Sequence, residues 1–132
     1  MIYLDTAALV KLVRREPETD TLAVWLDERA GLPWVASTLI EVELPRALRR
    51  SEPSLLAVIA RVARYETVRS TASAYPDPTL RSLGAIHLAT ASGVFGARLT
   101  AFVSYDQRLL AAASAAGLPI RSPGAPPPTS AG

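Results

Sequence analysis

The sequence predicts a single-domain α/β fold: a three-layer α/β/α sandwich around a central, mainly parallel sheet. Three observations carry that prediction. Short, wholly apolar runs alternate with longer amphipathic stretches, the pattern of strands buried on both faces by crossover helices. The 132 residues, 49% hydrophobic, suffice for one real core. No internal repeat or linker divides the chain before a proline-rich C-terminal stretch. One domain over residues 1–123 with a flexible tail over 124–132 is therefore expected.

The elements follow in order. "MIYL" is apolar throughout and stops at Asp5, a buried strand passing into a helix from Thr6 to about Arg15 with Leu9, Leu12 and Val13 inward. Glu16-Pro17 ends that helix, because the residue before proline resists the α region. "TDTLAVWLDERAG" reads as a second helix, with Leu22, Trp25 and Leu26 on one side and Gly31 as its stop. "PWVAS" is a brief strand, and Ser37 or Thr38 caps the third helix, "TLIEVELPRALRR". Pro45 removes one backbone hydrogen bond there and predicts a kink or a restart. "PSLLAVIARVARY" reads as a fourth helix and "ETVRS" as the strand after it. "PDPTLRSLGAIHLATASGVFG" is a helix with Asp77 as cap and Pro78 at its first position. "LTAFVSYD" is the clearest strand and ends in Asp106. "QRLLAAASAAG" is a helix closed by Gly117, and "LPIRS" a final short strand.

Composition narrows the chemistry. Cysteine is absent, which removes disulfides, thiolate zinc sites and cysteine nucleophiles. The apolar start is too short for a signal peptide, and no run of apolar residues is long enough to span a membrane. A cytoplasmic protein is expected. The net charge of +2 is mild. Its character says more, since nearly all the basic residues are arginine, whose planar fork suits phosphate.

In open parallel sheets ligands bind beyond the carboxyl ends of the strands. Two apolar strands each deliver an acid to that edge, Asp5 and Asp106. Either alone is ordinarily a helix cap; two on one edge repel unless protonated or bridged by a cation. Glu43 lies on the apolar stripe of the third helix, with Leu39, Ile40 and Ala47, whereas Glu41 points to solvent. Buried acids are rare unless paired or bound to metal. Three hard oxygen donors suit Mg²⁺, with Mn²⁺ as a substitute. Thr6 reads as a cap of the first helix or as a binder of ligand. His87, the single histidine, reads as a packed helix residue.

Other users of strand-end aspartates do not match. A receiver domain wants an acidic pair after the first strand, and an aspartyl phosphatase wants a second aspartate where Ala7 stands. Glycine-rich phosphate loops and the GxSxG elbow are missing.

On these residues the chain resembles the PIN-domain ribonucleases, in particular the VapC-type toxins of bacterial toxin–antitoxin modules. "MIYLDTAALVKL", "STLIEVELPRALRR", "LRSLGAIHLATA" and "LTAFVSYDQRLLAAA" look like that family's four acid-bearing motifs in order. The resemblance assigns Asp5, Glu43 and Asp106 to catalysis and metal binding. The fourth acid falls on Gly84, because this chain reads "GAIH" where the family characteristically reads aspartate-alanine-isoleucine-histidine. Ala7 and Pro45 are smaller departures. The family implies Mg²⁺-dependent hydrolysis of RNA by metal-activated water, leaving a 5′-phosphate and a 3′-hydroxyl. It also implies homodimerisation and inhibition by a cognate antitoxin. Thr6, Arg46, Arg49 and Arg108 are the candidate RNA-binding residues, with the arginines holding the backbone. With Gly84 supplying no ligand, cleavage is expected to be impaired. Two rival readings are a catalytically inactive PIN-like module that binds antitoxin and RNA, and an unrelated metal-dependent phosphohydrolase acting on small molecules.

Overall fold

The first strand, β1 (Ile2–Leu4), becomes the middle of the sheet in a computed structural model that describes residues 1–48, 54–65 and 82–126. Its neighbours are β2 (Trp34–Ser37) on one side and β4 (Ala101–Val103) on the other. Outside these lie β3 (Val62–Tyr65) and β5 (Ile120–Arg121), giving the order β3-β2-β1-β4-β5 with every pairing parallel. Strands this short need no polar face, because helices cover both sides.

Successive side chains on a strand point to opposite faces, and β1 shows what that does. Ile2 and Leu4 pack beneath α1 (Thr6–Val13), α2 (Thr19–Asp27), α3 (Ile40–Ala47) and α4 (Leu55–Arg61). There they meet Leu9, Leu22, Leu26, Ile40, Leu44 and Leu55. Tyr3 points the other way, into a second core with Val35 and Phe102. That core is closed by α5 (Ser82–Thr90), a π-turn over Ala91–Phe95 and α6 (Gln107–Ala115), through Leu88, Phe95, Leu109 and Leu110. The result is the three-layer α/β/α sandwich. Leu44 is fully buried, so Leu44→Ala is expected to cost about 3 kcal/mol in chemical denaturation. The half-exposed Val42 two residues away should cost less than about 0.5 kcal/mol as alanine.

Several element boundaries differ from expectation. The fourth helix ends at Arg61, and "VARY" is β3, with Val62 opposite Trp34 and Tyr65 opposite Ser37. Val62 continues the helical spacing of Leu55, Val58 and Ile59, but its backbone is taken by β2 and its side chain is buried against the sheet. The second helix stops at Asp27, four residues before Gly31, in a run of turn hydrogen bonds. The third helix is unbroken from Ile40 to Ala47 and does not restart at Pro45. The hydrogen bond that proline removes falls in the last turn, where the chain is about to leave the helix at the extended Leu48. α6 closes as expected at Gly117, whose φ of +82° is the left-handed geometry that favours glycine. The strand expected at "ETVRS", the helix start at Asp77 and Pro78, and Arg49 lie outside the described residues.

The C-terminal chain is tied to the loop after β4. Ser122 donates its hydroxyl to the Ser104 carbonyl (2.8 Å), and Tyr105 donates its hydroxyl to the Pro123 carbonyl (2.8 Å). Gly124, assigned above to the tail, has a φ of +82° and lies against Glu18 and Thr21, where a Cβ would come within 2.9 Å of the threonine. Lys11 backs this corner, paired with Glu16 (2.6 Å) and Glu18 (2.9 Å) and lying over the Tyr105 ring. Among the described residues no helix is long and apolar enough to cross a membrane.

Candidate active site

The chain winds from β1 outward to β3, then returns to place β4 on the opposite side of β1. The switch point therefore lies between β1 and β4, where a parallel sheet opens a crevice at its carboxyl edge. Leu4 and Val103 are opposite each other, and the Asp5 N–H donates to the Val103 carbonyl (3.3 Å). Both strand-end aspartates are thus brought to one edge.

Each is also a helix cap. Asp5 Oδ1 accepts the Ala8 N–H (2.9 Å) at the start of α1. Asp106 Oδ1 accepts the N–H groups of Arg108 (3.0 Å) and Leu109 (3.3 Å) at the start of α6. Ser104 links them: its hydroxyl donates to Asp5 Oδ2 and accepts the Asp106 N–H (3.1 Å). Asp5 and Ser104 are buried, while Asp106 is open to solvent.

Glu43 reaches this edge from α3. Thr6 Oγ1 donates to Glu43 Oε1 (2.7 Å), and His87 Nε2 stands 2.8 Å from the same oxygen. Thr6 is therefore not the cap of α1. Asp5 takes that role one residue earlier, which frees the threonine hydroxyl for Glu43. Glu41 is exposed as expected and pairs with Arg64 at 2.6 Å. His87 is a packed helix residue, 3% exposed, yet its ring joins Tyr3 to the candidate site. Gly84 is half-buried on the same face of α5, one turn earlier. The sequence reading missed Tyr3, Ser37 and Ser104. The signal available for Ser104 was a polar residue closing an apolar strand two positions before an acid.

The environment sets the charges. Burial pushes the Asp5 carboxyl above its ordinary range, and the nearby Asp106 adds to that. The His87 charge and the hydrogen bonds from Ser104 and Ala8 pull the other way. Burial would also raise Glu43, but the His87 hydrogen bond and charge, helped by Thr6, bring it below the usual carboxylate value. Burial holds the Tyr3 hydroxyl protonated, well above its ordinary pKa.

Arg46 is exposed on α3 beside Glu43, and Arg108 is exposed on the first turn of α6 beside Asp106. Among the described residues no group of three or more His, Cys, Asp or Glu side chains stands ready-made to hold a metal ion. The donor chemistry nonetheless fits a hard cation. All three acids offer oxygen, and a positive charge would relieve a buried carboxylate that now stands beside another acid.

A parallel sheet with two aspartates at its switch point and a glutamate leaning in from the third helix defines a PIN-like domain. Comparison with curated proteins narrows the class. The chain is 54% identical over 132 residues to Ribonuclease VapC35 of Mycobacterium tuberculosis, covering 94% of this chain and 98% of that protein. It is 43% identical to Ribonuclease VapC47 over 95% of its length and 98% of the relative's. Ribonuclease VapC46 is 37% identical over 92% and 97%. The chain belongs to the VapC ribonuclease family. Its fold matches a chain in the structure of FitAB bound to IR36 DNA fragment, with a TM-score of 0.57, 20% identity, and coverage of 98% and 99%. No family model matches the sequence.

Proposed function

We propose that this protein is a metal-dependent endoribonuclease, the toxin of a type II toxin–antitoxin pair, and that Asp5, Glu43 and Asp106 hold its Mg²⁺. The observation that carries the reading is the carboxyl edge of the β1–β4 seam. There one serine hydroxyl joins Asp5 to the Asp106 loop, and the residue after Asp5 grips Glu43. The ribonuclease names of relatives up to 54% identical support the substrate class.

The cation, when bound, supplies an activated water and stabilises charge on the scissile phosphate. The chain's own residues do the rest. Ser104 keeps Asp5 and the Asp106 backbone in register, and Thr6 with His87 holds one oxygen of Glu43. Arg46, Arg49 and Arg108 hold the RNA backbone, which the acids would otherwise repel. Arg46→Ala and Arg108→Ala should each weaken RNA binding uniformly across sequences and lower the salt slope by about 0.7–1 in a filter-binding titration. An antitoxin, a second copy of the chain and a cytoplasmic setting belong to the same reading.

The test is cleavage of structured RNA with Mg²⁺, Mn²⁺ or EDTA, alongside Glu43→Gln and Asp106→Asn. Products with 5′-phosphate and 3′-hydroxyl ends, lost with EDTA and with either variant, are expected. Cleavage that persists in EDTA would overturn the metal assignment. The second reading, an inactive module that binds antitoxin and RNA, is favoured by one observation: Gly84 offers no side chain where the family carries an acid. Tight antitoxin binding without cleavage under any divalent ion would select it. Hydrolysis of simple phosphoesters in preference to RNA would point to a small-molecule phosphohydrolase.

A further inference from the structure

The hydrogen bonds around His87 join a fixed backbone donor at one end to a carboxylate, which can only accept, at the other. The backbone donor is the N–H of Ser37 at the end of β2, which gives its hydrogen to the Tyr3 hydroxyl (3.1 Å). The Tyr3 oxygen lies 2.7 Å from His87 Nδ1. On the far side of the ring, Nε2 lies 2.8 Å from Glu43 Oε1 and 3.2 Å from Thr6 Oγ1. A hydroxyl that accepts from Ser37 keeps its own hydrogen to give, and Nδ1 stands in line to take it. A neutral imidazole that accepts at Nδ1 carries its hydrogen on Nε2, the nitrogen facing the carboxylate.

The rings are held in place, and Thr90 is a second side-chain neighbour of the Tyr3 hydroxyl. Tyr3 is 0% exposed, stacked on Phe102 at 5.1 Å between ring centres and edge-on to His87 at 5.8 Å. Little water reaches either ring to compete.

We propose that Tyr3 and His87 are positioning residues for Glu43: the Tyr3 hydroxyl sets the His87 tautomer, and the Nε2–H holds Glu43 Oε1 so that the other carboxylate oxygen is presented to the cation. This rests on Glu43 being a metal ligand. The relay starts in β2 and reaches α3 through β1 and α5, so it couples the orientation of Glu43 to β1 and β2.

The protein has a single histidine, so imidazole ¹⁵N spectra need no assignment. In metal-free protein, wherever the spectrum shows the ring neutral, the hydrogen is expected on Nε2. Tyr3→Phe, which keeps the ring but not the hydroxyl, should erode that preference. With Mn²⁺ as calorimetric probe, His87→Phe should bind at least about 10-fold more weakly, and His87→Gln, whose amide can donate to Glu43, should recover to within about 3-fold of wild type. RNA cleavage should lose kcat in His87→Phe with KM little changed. A hydrogen on Nδ1 in the unaltered protein overturns the proposal, and that spectrum decides even where His87→Phe does not fold. Wild-type Mn²⁺ affinity in folded His87→Phe, with affinity lost in Glu43→Gln, overturns it while leaving Glu43 a ligand. Wild-type affinity in Glu43→Gln removes the ligand reading and this proposal with it.

Discussion

Gly84→Asp is expected to raise Mg²⁺-dependent RNA cleavage by on the order of 10- to 100-fold, the scale on which changes around a metal site alter affinity or activity. Gly84 sits third in α5, half-buried, one turn before the histidine that contacts Glu43. An aspartate there adds a fourth oxygen donor to a site the resemblance expects to have four. Helix propensity favours the change. Aspartate is a better helix former than glycine by a few tenths of a kcal/mol. Repulsion from Asp5 and Asp106 offsets part of that gain until a cation binds. The melting temperature in EDTA should therefore stay near wild type, while the rise on adding Mg²⁺ should be larger in the variant. Equal cleavage and equal Mg²⁺-induced shifts would show that position 84 has no part in the site.

Asp5→Asn is expected to do the reverse: lose at least about 100-fold in cleavage while unfolding later than wild type in EDTA. Asp5 is 3% exposed, and burial together with Asp106 makes its charge costly. Asparagine keeps an acceptor for the Ala8 N–H, while its amide reverses the Ser104 contact by donating to the serine oxygen. Relief of a strained functional site is commonly worth about 0.5–2 kcal/mol, a few degrees in a domain of this size. The pH dependence follows from the sign of the shift. A carboxyl whose folded pKa is raised costs stability above that pKa and costs nothing below its unfolded value. The advantage of the variant should be complete above the raised pKa and vanish as pH falls to the ordinary aspartate range. Glu43 acts oppositely. Its lowered pKa contributes stability above the ordinary glutamate value, lost as pH falls through the folded one. Added Mg²⁺ should stabilise wild type and leave Asp5→Asn unmoved. A variant less stable than wild type at pH 7 in EDTA would contradict the cost assigned to the buried charge.

The central strands were legible because a wholly apolar run ended by an acid is a local signal, and both β1 and β4 have it. Glu43 could be separated from Glu41 by helix angle alone, and the structure puts the first against Thr6 and His87 and the second against Arg64. β3 could not be read correctly, since Val62 satisfies the helical period of the residues before it and only pairing with Trp34 makes it a strand. Thr6 and Asp5 are both good caps one residue apart, and spacing does not choose between them. The polar chain through Tyr3 and His87 was hidden for a stronger reason. It joins residues 84 positions apart, and nothing in either segment reveals that α5 lies across β1.

The order of the strands has a consequence for when the site comes into being. Residues 1–65 supply β1, β2 and β3 with Asp5 and Glu43; residues 82–126 supply β4 and β5 with Asp106 and His87. Within the sheet the two portions meet where Ile2, Tyr3 and Leu4 lie opposite Ala101, Phe102 and Val103, a pairing that closes a long loop and so forms slowly. Neither portion alone holds all three acids. If the three acids form the site proposed above, a chain caught before that zipper closes, or two fragments that fail to complement each other, should leave RNA uncut. The three acids come together on one edge only once the two portions have paired.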